Sequence, residues 1–214
     1  MTDALLLPMA LASMACYADN VQFAWEGEDK TSHLLHTTVN GTHAFIFAGT
    51  MDLTEWGLDI FAVPVPIPEI PQVGDLHAGF AIGTYTCIQQ YILPTIKSLG
   101  LTEFYIGGHS KGAGQGGQAH GILKALGHPP KATRLYEPPL FGGQDIASLM
   151  TGDDVVWTET FNCHGTDIVT QVPVGPSWKR SCLPIRLQVP DDADIAVKHK
   201  MDAVHDAIVK LSSS

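Results

Sequence analysis

Apolar residues fall along this chain in short runs separated by Gly- and Pro-rich turns, and the runs follow two different periods. Thr42 to Phe47 is an unbroken β-rich run that ends at Gly49, as a buried strand does. Pro64, Pro66, Pro68 and Pro71 mark Val63 to Gly74 as an irregular surface loop, because proline fits neither a helix interior nor a central strand. From Gly79 to Leu99 the residues Ile88, Tyr91, Ile92 and Ile96 recur at three- and four-residue spacings, which predicts a helix. Pro94 should kink that helix or end it early. A second short apolar strand is expected at Glu103 to Gly107.

Lys111 to Leu126 reads as a helix in spite of Gly112, Gly114, Gly116, Gly117 and Gly121. Each glycine costs up to about 1 kcal/mol relative to alanine, so only close packing of the helix on a sheet justifies so many. Three more strands are expected at Thr133 to Tyr136, Val155 to Cys163 and Ile185 to Val189. A last helix, near Asp194 to Leu211, carries Met201, Val204, Ile208 and Leu211 on one stripe. Strands alternating with helices imply an α/β domain over residues 1–214, with a mainly parallel central sheet flanked by helices.

At the N-terminus, Leu5 to Ala15 looks like a short signal core with Cys16 where a lipid-modified cysteine would stand. No Lys or Arg precedes it and Asp3 has the wrong charge, so a buried amphipathic first helix is the expectation. Compartment stays open on this reading, with the cytoplasm slightly favoured over secretion. No run has the length of a transmembrane segment. Composition narrows the partners: only 16% of residues are charged and the formal balance is −10, which gives no electrostatic attraction to nucleic acid or an anionic membrane. The four cysteines lack metal-type spacing, and whether Cys163 pairs with Cys182 is left open. His33 and His36 have no acidic or thiol neighbour that would make them metal ligands, so neither metal nor cofactor is expected.

Gly108-His109-Ser110-Lys111-Gly112 fits G-x-S-x-G. In that motif the serine stands on a strained strand-to-helix turn, and glycines flank it because side chains there would clash. The match alone is weak, but an apolar strand precedes it and a helix follows, as the motif requires. The residue after the nucleophile, Lys111, offers its backbone N–H to an oxyanion.

With this motif in place the chain resembles the class 3 lipase family, the filamentous-fungal lipase and feruloyl esterase type, within the α/β-hydrolase fold. Five motifs stand in the family's order. Phe47-Ala48-Gly49-Thr50 resembles its aromatic-x-Gly-Thr/Ser turn, and Glu55-Trp56-Gly57-Leu58-Asp59 the D-W-x-x-D that follows. His77-Ala78-Gly79-Phe80 resembles its H-x-G-F, then comes the serine motif, and Gly165 to Val169 with Pro173 resembles D-I-V-x-x-x-P. Departures are Lys111 and Ala113 within the family's GHSLGG, Ala48 for an arginine, and Glu137-Pro138-Pro139 for an arginine-containing turn. They put the substrate in question more than the chemistry.

A serine hydroxyl needs an imidazole to take its proton, and the imidazole needs a carboxylate to fix its tautomer. In this fold the order is Ser, then Asp or Glu, then His. Acidic candidates are Glu137, Asp145, Asp153, Asp154, Glu159, Asp167 and the Asp191–Asp194 cluster. Asp167 follows a strand, where sites of open α/β sheets lie, and the resemblance selects it too. His199 and His205 compete as base: His205 lies on the apolar stripe, whereas His199 stands near the polar turn at the helix start. His199 is therefore preferred, and the resemblance agrees. His77 and His109 read as structural.

By resemblance Thr50 supplies the second oxyanion donor, and Asp59 either holds that turn or caps a helix. The same resemblance makes Met51 to Phe61, with Met51 and Trp56, an apolar rim over the acyl site, although a helix packed on the sheet fits that stretch equally. The expected activity is hydrolysis of a small-molecule or lipid carboxylic ester through an acyl-enzyme. Phospholipase A1, amidase or peptidase chemistry with the same triad, or a non-catalytic binding protein on this fold, are the alternatives.

Overall fold

A computed structural model of the chain describes residues 3–28, 30–50 and 63–213. The strands are β1 (Trp25–Glu26), β2 (His33–Val39), β3 (Thr42–Phe47), β4 (Pro64–Pro66) and β5 (Asp75–His77), then β6 (Tyr105–His109), β7 (Ala132–Tyr136), β8 (Val155–Asn162), β9 (Gly165–Thr166) and β10 (Ile185–Gln188). The helices are α1 (Leu6–Ala15), α2 (Ala78–Cys87), α3 (Leu93–Leu99), α4 (Lys111–Ala125), α5 (Gln144–Leu149), α6 (Ile195–His199) and α7 (Met201–Ser212).

One sheet runs in the order β1-β2-β3-β6-β7-β8-β10, with β9 folded back onto β8. From β3 through β10 the neighbours are parallel, and β1 and β2 are antiparallel additions at one edge. Both faces of the parallel part are covered, which explains why its strands read as continuous apolar runs. Phe45 and Phe47 of β3 point into one core with Ile106, Leu135 and Trp157, under α2 to α5. Ala44 and Ile46 of the same strand point into the other, under α1 and α7. The first helix is thus a buried element, with Leu6, Met9 and Ala10 inward, and Tyr136 of β7 donates its hydroxyl to the Leu6 carbonyl at 2.5 Å.

Helix α4 lies buried from Lys111 through Leu123, between the sheet and α2 and α5. Its polar residues are absorbed by ties to the surrounding loops. Gln115 Nε2 donates to Ser32 Oγ at 3.0 Å, and Gln118 Nε2 donates to the carbonyls of His77 and Phe141 at 3.2 and 2.9 Å. Its glycines are where neighbours come nearest: a methyl on Gly112 would collide with the Phe47 carbonyl and stand 2.7 Å from the Ala48 carbonyl carbon.

Three local expectations need correction. The segment from Val63 to Gly74 is not simply a surface loop, for Ile67, Ile70 and Val73 are buried in the core and Pro64–Pro66 pairs with β5. Prolines at an isolated two-stranded ribbon cost few hydrogen bonds, which is why the strand survives them. Pro94 neither ends nor breaks the long helix. A π-turn at Ile88–Ile92 precedes it, with Leu93 N–H donating to the Ile88 carbonyl, so the proline opens a new helical segment where no N–H is needed. The last helix is two: Lys200 is extended (φ −68°, ψ 140°) and separates α6 from α7.

No side-chain movement can absorb a methyl placed against a main-chain carbonyl. Gly112→Ala is therefore expected to lower unfolding free energy by about 3 kcal/mol, the upper part of the overpacking range, in urea titrations. An unchanged midpoint would show that β3 and α4 are not in this contact.

Candidate active site

The chemistry-bearing residues gather where the parallel strands end. Ser110 follows β6 directly and opens α4 with φ 57° and ψ −127°, a left-handed-side backbone that a non-glycine residue adopts at a cost of about 1–3 kcal/mol. The strain holds because both sides of the turn are fixed. Ser110 N–H continues the ladder to the Tyr136 carbonyl at 2.9 Å, and the Ser110 carbonyl accepts from Ala113 and Gly114. The chain also has no spare room: a methyl on Gly108 would lie 2.5 Å from the Gly112 carbonyl carbon.

Asp167 arrives by a different route. β8 turns at Cys163–His164 into β9, and Asp167 N–H then donates to the Thr160 carbonyl at 3.0 Å. The carboxylate is fully buried; Oδ1 accepts from Val169 N–H at 3.0 Å, an Asx turn, and Oδ2 is left for a second partner. That partner is His199. Its Nδ1 stands 2.5 Å from Asp167 Oδ2 and its Nε2 stands 2.7 Å from Ser110 Oγ. The break at Lys200 is what aims the ring, because α6 is capped by Asp194, whose Oδ1 accepts from Val197 N–H at 2.8 Å, and ends at His199 itself. His205 lies elsewhere on α7, partly exposed, and pairs with its neighbour Asp206 at 3.2 Å.

Behind His199 lies a second histidine. His109 Nε2 is 2.7 Å from the His199 carbonyl, which can only accept, so Nε2 carries the proton and Nδ1 accepts from Tyr17 Oη at 2.6 Å. Burial, reinforced by the neighbouring His199 ring, lowers the His109 pKa to about 3 and keeps it neutral. His109 thus fixes the main chain of His199, as its structural reading suggested. His77 is structural too: it caps α2, Nδ1 accepting from Gly79 N–H at 3.2 Å, and stacks on Phe80 with ring centres 4.0 Å apart.

Ser110, His199, His109 and Thr50 open on a cavity of about 440 Å³ whose other described walls are Met14, Tyr17, Ala18, Lys200, Met201 and Asp202. Thr50 therefore faces the same space as the serine, on a turn held close by Gly49, where a methyl would lie 2.7 Å from the His109 carbonyl. Lys111 begins α4 with its backbone beside Ser110, while its buried ammonium turns away to donate to Thr31 O and Oγ1 at 3.1 and 2.9 Å. Met51, Trp56 and Asp59, with the rest of the expected rim, lie outside the described residues. His36 bonds His43 and Tyr91 rather than His33, which lies against Phe23; among the described residues no three His, Cys, Asp or Glu side chains gather as metal ligands. All four cysteines are free thiols, so Cys163 and Cys182 do not pair here.

The contributions of Met14 and Tyr17 were not visible in the sequence, where α1 reads only as an apolar helix. A tyrosine just after such a helix carries no local signal of what it will face.

Solved structures share the fold of most of this chain. One is MDLA, in its N225Q mutant form, from Penicillium cyclopium: TM-score 0.71, 15% identity, covering 89% of this chain and 81% of that one. Another is Rhizomucor miehei triacylglyceride lipase, with TM-score 0.64 and 15% identity over 87% of this chain and 78% of that one. The chain has the α/β-hydrolase fold of the fungal lipases. Lip2 lipase from Yarrowia lipolytica shares it at TM-score 0.58 and 18% identity, over 75% of this chain and 62% of that one. Against the Rhizomucor miehei lipase in its propeptide complex, the chain spans only about half the length (56%) of that relative. No family model and no curated protein matches the sequence. At such identities the hydrolase fold is what is shared, and the residues must speak for the chemistry.

A histidine held neutral when folded, but free to protonate when unfolded, makes the unfolded state bind more protons between its two pKa values. Stability then falls as pH drops from about 6.5 toward 3. His109→Gln is expected to lose less stability between pH 7 and pH 5 than the wild type does, in denaturant titrations at the two pH values. Equal losses would show that His109 is not buried neutral.

Proposed function

We propose that the protein is a serine hydrolase that cleaves carboxylic esters through an acyl-enzyme. The observation that carries this reading is the hydrogen-bonded line from Ser110 Oγ through His199 to Asp167, opening on a cavity lined by both apolar and polar residues. In it Ser110 attacks the ester carbonyl while His199 Nε2 takes the hydroxyl proton, and Asp167 holds the ring in the tautomer that leaves Nε2 free to accept. Collapse of the tetrahedral intermediate passes the proton from His199 to the departing alcohol. A water molecule, deprotonated by the same nitrogen, then releases the acid.

Negative charge that develops on the carbonyl oxygen is met by the Lys111 backbone N–H at the start of α4 and by Thr50. Donors set before the reaction reorient little during it, and removing one costs about 3 kcal/mol of barrier in comparable sites. Lys111 contributes main chain only, since its ammonium is engaged by Thr31. Met14, Ala18 and Met201 give the cavity an apolar part beside Lys200 and Asp202, which suits an ester with an apolar acyl group. The lipase structures that share the fold support this choice, and Met51 and Trp56 are proposed to complete the acyl rim.

Turnover of p-nitrophenyl esters of rising acyl length, beside a p-nitroanilide and a phospholipid, tests the reaction class. Ester turnover is expected, with Ser110→Ala and His199→Ala each losing at least about 10⁴-fold in kcat and His205→Ala losing little. A His205→Ala variant that is inactive while His199→Ala works would move the base. Turnover of the anilide alone would replace the esterase with an amidase.

A further inference from the structure

One wall of the cavity comes from the start of the chain. Helix α1 ends at Ala15, and Tyr17 follows it with its N–H donating to the Met14 carbonyl at 2.9 Å. Leu6, Met9 and Ala10 anchor that helix in the core, so Tyr17 reaches the cavity on a fixed support. Its hydroxyl lies against the turn that leads to Thr50, where a methyl on Gly49 would collide with Tyr17 Oη. The absence of a side chain at Gly49 is what gives the hydroxyl its place.

From there the hydroxyl reaches His109, and His109 reaches His199. Tyr17 Oη donates to His109 Nδ1 at 2.6 Å, and His109 Nε2–H donates to the His199 carbonyl at 2.7 Å. The far end fixes the direction of both bonds, because a carbonyl can only accept and a neutral imidazole has one donor and one acceptor. Burial pushes the Tyr17 hydroxyl above its usual range, so it keeps the proton that it donates. His199 is the last residue of α6, and the last carbonyls of a helix have no partner within it. His109 supplies a partner there, at the step where the extended Lys200 turns the chain into α7.

We propose that Tyr17 is a positioning residue for the base: it holds His109 in the tautomer that grips the His199 carbonyl, and so keeps the imidazole between Ser110 Oγ and Asp167 Oδ2. The proposal rests on His199 being the base of an ester hydrolase, as argued above. Without the Tyr17 hydroxyl, His109 Nδ1 is a buried acceptor with no donor, which is costly. The ring relieves that cost by turning toward another donor or toward water in the cavity, and the His199 carbonyl then loses its partner. A base must stay within hydrogen-bond reach of the proton it takes, so a small shift of His199 slows the reaction without weakening substrate binding.

The test measures kcat and KM for the wild type, Tyr17→Phe, His109→Gln, His109→Leu and the double variant Tyr17→Phe/His109→Leu. Tyr17→Phe keeps the packed ring and loses only the hydroxyl. The expected loss is about 10- to 30-fold in kcat, below the roughly 10²-fold that a 1 Å misplacement can cost, with KM changed less than about threefold. A tyrosine that only supports the fold would lower the unfolding midpoint and leave kcat intact. Glutamine can accept from Tyr17 and donate to the His199 carbonyl, so His109→Gln should lose less than about fivefold and His109→Leu about as much as Tyr17→Phe. Both residues act along one path, so the double variant should lose no more than about threefold beyond His109→Leu.

Losses that multiply in the double variant, or a Tyr17→Phe variant with the wild-type kcat, overturn the proposal. If His109→Leu does not fold, the Tyr17→Phe and His109→Gln arms decide it. A further readout needs no turnover: ¹⁵N NMR of the histidine rings should find wild-type His109 neutral at pH 7 with its proton on Nε2. A proton on Nδ1 overturns the proposal as well. A wild type in the expected tautomer that cleaves no ester would keep the hold on His199 and sink the esterase reading instead.

Discussion

Main chain meets main chain where Gly112, in the first turn of the central helix, passes the carbonyl of Phe47 at the end of β3. Neither partner has a side chain that can yield there, so this contact sets how far the serine turn stands from the neighbouring strand's exit. Everything around the site follows from that spacing. β3 leads through Gly49 to Thr50, which lines the cavity with Ser110, while β7 and β8 end beside β6 and lead to Glu137 and Asp167. Parallel pairing brings these strand ends to one edge of the sheet. A glycine-rich helix is the consequence, with its low propensity offset by burial against sheet and helices.

Burial also governs the electrostatics. Asp167, Glu137, His109 and His199 lie close together with almost no access to water, where an unpaired charge is expensive. The arrangement meets this cost by leaving His109 neutral, tied between Tyr17 and a main-chain carbonyl, and by giving every oxygen of Asp167 a donor. In the proposed reaction, the positive charge that forms on His199 then meets one negative charge, already in place and already oriented.

Much of this was legible beforehand. The apolar runs predicted β3, β6, β7, β8 and β10 to within about two residues, since strands covered on both faces leave a simple pattern. Ser110, Asp167 and His199, which the structure brings into one hydrogen-bonded line, each sit at an element boundary that a turn or cap residue marks in the sequence. What escaped was set by tertiary contact. The break at Lys200 has no proline or glycine to announce it, and the π-turn before Pro94 depends on how the helix seats on the core. The proline-rich segment was read by its backbone chemistry, while Ile67, Ile70 and Val73 were being drawn inward by burial.

The account stands on Ser110 forming a covalent acyl-enzyme. Rapid mixing with a p-nitrophenyl ester, followed by acid quench and peptide mass mapping, measures that step directly. The expected result is a burst of p-nitrophenol of about one equivalent per protein, with the acyl mass found on the peptide that contains Ser110. Release of p-nitrophenol with no acyl group on Ser110, or with the group on a cysteine such as Cys163, would contradict it.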